Sequence, residues 1–479
     1  MARKMGAIRL MQMISALFLV LDSYGACEKQ VEKGPFHMFA KKQALSSQIF
    51  SQMLEKDYRL SVRTTESITS FEEIGMETNS YLWNDVVVSV DDFGAVGDGI
   101  TDDTKAFEDA WQEACSSVFA TFFVPEGNMY LLKPINFSGP CQYPLTVQIS
   151  GTIVAPEDPN VWIEANYWLL FNEVNNLAVG GGGRIDGRGQ KWWAESCKIN
   201  KTNPCTPAPT AVTFDSIKNL WVRNLSMENS PKFHLTFQNC AGVEANYLRV
   251  SAPQYSPNTD GIHISASSYV MVTDSIIGTG DDCISIVSES FNVMIQNVTC
   301  GPGHGISIGS LGKGNSGAEV SFVVVDGAYI HDTTNGLRIK TWQGGSGYAQ
   351  GIRYSNIYME NVSNPIIIDQ YYCDSPERCP NQTSAVRVSE VGYFNIRGTS
   401  ATEQAIRFAC SESVPCENII LQNIYLTLTS GDSATSFCEN AMGFSLGFVT
   451  PPPCFQYYNQ LQKEEMITQV MTQQPRNEL

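Results

Sequence analysis

The sequence predicts an all-β protein whose main body is a single parallel β-helix, and three of its features lead there. From about Val147 to Pro453, short apolar runs alternate with Gly, Asn, Asp and Ser, and no helical period is sustained. The apolar segments Leu220-Trp221-Val222, Val243-Glu244-Ala245, Val270-Met271-Val272 and Val293-Met294-Ile295 begin 23, 27 and 23 residues apart. Repeats of this length mark a solenoid. A unit of strand and turn alone is a β-helix coil, because leucine-rich and helical repeats carry their own signatures. Composition is the third feature: 17% charged residues, 43% hydrophobic residues and 38 glycines in 479 suit a buried, turn-rich fold and exclude disorder. A β-sandwich is the alternative.

In chain order, residues 1–25 read as a secretory signal. Arg3, Lys4 and Arg9 precede the apolar run Leu10 to Leu21, and the small residues Ser23, Gly25 and Ala26 follow. The run is shorter than the ~20 residues of a membrane span, which argues against a retained anchor. Residues 26–85 are a polar extension or prosegment, with a helix expected around Gln43–Leu60. At Val86 a catalytic domain, 86–455, begins with the β-rich Val86–Val90 and the glycine turn Phe93–Gly99. Thr101-Asp102-Asp103-Thr104 then reads as the cap of an N-terminal helix, with Ala106, Phe107, Ala110, Trp111 and Ala114 on one face. Such a helix would plug the open end of a β-helix. Residues 456–479 are a polar tail.

Fourteen cysteines behind a signal imply an oxidising compartment. Cys197/Cys205, Cys283/Cys300, Cys373/Cys379, Cys410/Cys416 and Cys438/Cys454 are short-range candidate pairs, while Cys27 and Cys240 lack a local partner. Zinc-type CxxC spacing is missing, so disulfides are favoured over metal. Asn136, Asn200, Asn224, Asn297, Asn361 and Asn381 begin glycosylation sequons, which agrees with secretion. Loss of residues 1–25 removes three cations and one acid, so the formal charge moves from −18 to −20. That excludes nucleic acid and anionic membranes as partners, and a polyanionic substrate would need a local basic patch.

Four motifs follow at nearly one coil per step: Asn258-Thr259-Asp260-Gly261, Gly280-Asp281-Asp282, Gly303-His304-Gly305 and Arg338-Ile339-Lys340. Asp260 to Asp282 and Asp282 to His304 are both 22 residues, so in a coil of that length they stack ~4.8 Å apart on one face. Crowded carboxylates repel and one retains its proton, as acid/base hydrolysis requires. Adjacent strand residues face opposite ways, so Thr279 and Gly280 are expected to bend the backbone and let Asp281 and Asp282 share a site. His234, His263 and His331 lack the glycine context of His304 and are expected to pack or hydrogen-bond. Arg338 and Lys340, two apart, share a face and suit a carboxylate ligand, or else pair with the aspartates.

These motifs, in this order, resemble the polygalacturonase family of glycoside hydrolases, family 28, over roughly Val86 to Cys454. Gly183-Arg184-Ile185-Asp186-Gly187 and Asn229-Ser230-Pro231-Lys232-Phe233-His234 belong to the same resemblance, whose texture is that of a plant member. It implies a right-handed, pectin-lyase-like parallel β-helix and inverting hydrolysis of α-1,4-galacturonan (pectin homogalacturonan) without metal or other cofactor. By motif, Asp281 resembles the general acid, Asp260 and Asp282 the water-activating pair, and His304 the residue that tunes or shuttles the acid's proton. Arg338 and Lys340 resemble the carboxylate-binding cations, Asn258 a polar substrate contact and Tyr372 a cleft tyrosine. A secreted, monomeric cell-wall enzyme is the expectation. Rival readings are a calcium-assisted pectate lyase, a rhamnogalacturonan or xylogalacturonan hydrolase, and a noncatalytic pectin-binding wall protein.

Overall fold

Along each short strand inward apolar residues alternate with outward polar ones, so a strand that repeats every coil buries one ladder and exposes the next. The computed structural model describes residues 86–162, 166–375 and 377–455. Two parallel sheets, of 22 and 11 strands, make up nearly all of it. The apolar segments identified by their spacing pair directly: Leu220 with Val243, Val243 with Val270, and Val270 with Val293. One repeat is therefore one winding.

In the 11-stranded sheet, the inward ladder runs Phe137, Phe171, Phe214, Phe237 and then Ile264, Ile286 and Ile308. The phenylalanine rings stack at 4.7, 5.0 and 5.9 Å between centroids. Like residues one winding apart fill the interior with a continuous apolar column, which supplies the main stabilisation of a parallel sheet buried on its inner side. Turns between faces need left-handed backbone, and asparagine supplies it. Asn356, Asn395 and Asn423 have φ of 56°, 53° and 54°. Their amides bond to one another along the axis at 3.1 Å each.

A helix, α1, forms at Thr104–Ser116 with Ala106, Phe107, Ala110, Trp111 and Ala114 buried. Trp111 meets Phe122, Phe137 and Phe171 edge-on, so the helix is anchored to the first windings. Its start differs from the expected cap. Asp103 occupies the N-cap position but makes no capping bond, because its carboxylate instead accepts the backbone N–H groups of Val96 and Gly97. Asp102 accepts the N–H and hydroxyl of Thr104. Asp103 thus ties the helix back to the glycine turn.

All five short-range cysteine pairs are bonded. A sixth bridge, Cys115–Cys141, fastens the end of α1. Cys240 is a buried free thiol. Cys27, the signal segment, the extension 26–85 and the tail lie outside the described residues. Among the described residues no helix is long and apolar enough to cross a membrane.

Candidate active site

The 11-stranded sheet sets the site's register. Ile262 pairs with Ile284 and Ile284 with Ile306, so Asp260, Asp282 and His304 each stand two residues before the start of successive paired strands. Residues 279–283 lie outside regular strand, as the adjacency of Asp281 and Asp282 requires. Gly280 makes this possible: a Cβ there would lie 1.9 Å from the Ser256 carbonyl oxygen. No other residue fits that approach. The Gly280 N–H is held by the Thr259 hydroxyl at 3.0 Å, which joins two of the motifs. The Asp282 N–H donates to Asp281 Oδ1 at 2.9 Å and turns that carboxylate back over the bend.

The three aspartates sit in different surroundings. Asp282 has 2% of its side chain exposed and accepts from Arg338 Nη2 at 2.7 Å, Lys340 Nζ at 2.8 Å and the Ser307 hydroxyl at 2.7 Å. Although burial opposes ionisation, these cations and donors prevail and hold its carboxyl down at about 2. Asp260 is buried too, but its bond is the Ser285 hydroxyl at 2.6 Å. Burial first, then the Asp281 and Asp282 charges, push its carboxyl well above the usual range. Asp281 retains 23% exposure and accepts from His304 Nδ1 at 2.9 Å, with His304 37% exposed. This pair is the open part of the cluster and the part a substrate can touch.

Arg338 and Lys340 do share a face, and in the structure both are bound to Asp282. This is the aspartate pairing that the sequence left as an alternative. Among the described residues the free donors are the remaining ammonium hydrogens of Lys340 and, on Arg338, both hydrogens of Nη1 and the second of Nη2. Of the doubled tyrosines, Tyr372 stands beside the cluster, its ring 5.4 Å from Lys340 Nζ and edge-on to Trp342. Tyr371 instead accepts the Glu412 N–H. Asn258 is half-buried in left-handed backbone (φ 57°), and its side chain makes no hydrogen bond among the described residues.

Four functional positions escaped the sequence reading. Ser285 and Ser307 are register partners and serve Asp260 and Asp282 respectively. Their signal was the same spacing of 22. His263 packs and hydrogen-bonds as expected, but does so inside the site: its ring stacks on Phe233 at 4.3 Å and its Nδ1 lies 2.8 Å from the Ser285 hydroxyl. Lys232 Nζ stands 4.3 Å from the Phe233 centroid and forms no ion pair among the described residues. Burial lowers its ammonium's pKa, with Asp260 partly offsetting. His234 is structural, its ring 3.1 Å from the Asp260 carbonyl oxygen. His331 lies against Tyr329 and Asp332.

Donor atoms of Asp281, Asp282 and His304 lie within 4.8 Å of one another, close enough for a cation. Both Asp282 oxygens are already engaged by positive side chains, however, and a divalent ion would meet two fixed charges of its own sign. The arrangement fits proton transfer better than metal binding.

Residues 115–446 match the model of "Glycosyl hydrolases family 28". A polygalacturonase of Persea americana is 56% identical over 376 residues, covering 78% of this chain and 81% of its own. Polygalacturonase-2 of Solanum lycopersicum is 49% identical over 413 residues, covering 85% and 90%. Among solved structures, a polygalacturonase from Erwinia carotovora superposes with TM-score 0.61 at 24% identity, covering 75% of this chain and 97% of its own. The endo-xylogalacturonan hydrolase of Aspergillus tubingensis superposes with TM-score 0.66 at 22% identity, covering 78% and 100%. The fold shared with these structures is the right-handed parallel β-helix.

Proposed function

The chain belongs to glycosyl hydrolases family 28, and from that premise we propose that it is a polygalacturonase, hydrolysing the α-1,4-galacturonosyl linkages of pectin by inverting acid/base chemistry. One observation supports this most: Asp260 and Asp281 stand together beside an aspartate that is already neutralised by two cations. The raised pKa of Asp260 therefore keeps one acidic proton in the cluster under conditions where isolated carboxyls have lost theirs. With that proton on Asp281, the exposed member, Asp281 protonates the leaving glycosidic oxygen. Ionised Asp260 then takes a proton from the attacking water.

Asp282 shares the site's negative charge and, with both oxygens engaged and its pKa depressed, contributes less to proton transfer than Asp260. Its other role is to hold Arg338 and Lys340 in place, where their remaining donors face a galacturonate carboxylate. Lys232 adds a further cation for the same polyanion. His304, bonded to Asp281, orients the acid and returns its proton after each turnover. Tyr372 and Asn258 line the sugar path. We further propose that the protein is secreted, acts in the cell wall and works as a monomer.

The decisive experiment is incubation with polygalacturonate. Reducing ends should appear without ultraviolet-absorbing unsaturated products and without sensitivity to chelator, the reverse of a calcium-assisted lyase. Early mixed oligomers would mean internal cleavage, and monomer alone cleavage from chain ends. Asp281→Asn should keep the fold and lose ~10²–10⁴-fold in kcat, the usual share of general acid catalysis. A fully active variant would remove the assignment. Arg338→Ala should reduce kcat/KM on the free acid more than on its methyl ester, whereas equal losses would confine Arg338 to anchoring Asp282.

A further inference from the structure

Three groups form a hydrogen-bonded line into the base of the site: His263 Nδ1 lies 2.8 Å from Ser285 Oγ, and Ser285 Oγ lies 2.6 Å from Asp260 Oδ2. Once Asp260 is ionised its carboxylate only accepts, so in that state the hydroxyl donates to Asp260 and itself accepts from His263. That selects the neutral tautomer carrying its hydrogen on Nδ1. We propose that His263 and Ser285 are a positioning relay, N–H to hydroxyl to carboxylate, which favours the ionised form of Asp260 that water activation needs against the burial and like charges that oppose it. This rests on the hydrolase reading above and adds to it two residues that act through Asp260.

The surroundings support the relay. His263 stacks face to face on Phe233, which holds the plane of its ring. Burial, reinforced by Lys232, drives its pKa down to about 4, with Asp282 opposing and Lys340 adding to the fall, so it stays neutral at working pH. Asp260 is faced by Asp281 and Asp282, which oppose its ionisation, and by Lys340, which favours it. Lys232 lies within electrostatic reach of Asp260 as well. In that balance the Ser285 bond is a direct donor to the charged form. The neighbouring winding repeats the device: Arg338 Nε donates to Ser307 Oγ at 3.0 Å, and Ser307 donates to Asp282. Ser285 and Ser307 are register partners, as are Ser307 and Arg338, and Ser285 and His263.

The test is the pH profile of kcat/KM on one oligogalacturonate, whose own titration is common to all variants. Ser285→Ala and His263→Ala should move the acid limb up by about one pH unit, because a lost hydrogen bond to the charged form makes Asp260 ionise later. His263→Asn, whose amide can donate from nearly the Nδ1 position, should restore most of the wild-type limb. A uniform fall in kcat with the limb unmoved, or no rescue by asparagine in a folded protein, overturns the relay. Should His263→Ala fail to fold, Ser285→Ala alone decides. A wild-type protein that releases no reducing ends would sink the hydrolase reading instead, so the two failures are distinct.

Discussion

Asp260 and Asp282 stand one winding apart at corresponding positions, both buried, both bonded to a serine on the next strand, and yet their carboxyls are displaced in opposite directions. The difference lies in what the following coils deliver. Asp282 receives Arg338 and Lys340, while Asp260 is left with a hydroxyl and the charges of its fellow aspartates. The comparison teaches that a regular scaffold can repeat one side chain and still divide labour between the copies, because the role is assigned by the neighbours. Asp282 is a charge anchor and Asp260 a titrating group.

The largest test of that contrast is Asp282→Asn, which strands two buried cations and should cost about 3–5 kcal/mol in urea unfolding at neutral pH. An unchanged midpoint would mean that the cations find other partners. Ser307→Ala removes a hydrogen bond to a buried charge that cannot neutralise itself, so a loss of about 1.5–3 kcal/mol is expected. Asp260→Asn, which relieves repulsion, should stay within about 1 kcal/mol of wild type or be stabilised. If it proved as damaging as Asp282→Asn, the two windings would be equivalent after all.

Stability should also respond to pH in opposite senses. Asp282 has a lowered folded pKa, so its contribution is full above the unfolded value of ~3.9 and is lost as pH falls through about 2. Asp260 has a raised one, so its contribution is present below ~3.9 and is lost as pH climbs through its higher folded value. Unfolding measured across pH should therefore show a loss on the alkaline side of ~3.9 that Asp260→Asn removes and Asp282→Asn does not.

Much of this was legible in the letters. Two equal steps of 22 put Asp260, Asp282 and His304 in line, because a strand's period of two makes equal coil lengths equivalent to a shared face. The apolar segments gave the windings, and Gly280 the bend. Past His304 that logic weakens, since Ile308 to Ile339 is a longer step, and spacing alone could not say whether Arg338 and Lys340 would face solvent or an aspartate. Ser285, Ser307 and His263 went unread for another reason. They share the spacing of 22, but a hydroxyl or imidazole on a strand carries no chemical signature of its own, and its partner lies a whole winding away. Within the group Thr101–Thr104 read as the helix cap, Asp102 takes the Thr104 N–H, while the carboxylate of Asp103 is drawn to the two N–H groups of the glycine turn, which spacing alone did not reveal.

The ladder Phe171, Phe214, Phe237, Ile264, Ile286 and Ile308 is interrupted by very unequal lengths of chain: 43 residues separate its first pair and 22 its last. Phe214 to Phe237, Phe237 to Ile264 and Ile264 to Ile286 are steps of 23, 27 and 22 residues that keep one inward face, so the turns absorb differences in length, and the long step adds the loop that holds the Cys197–Cys205 bridge. Chain can therefore be added or removed at the turns and along the rim while the strands beside the aspartates keep their pairing.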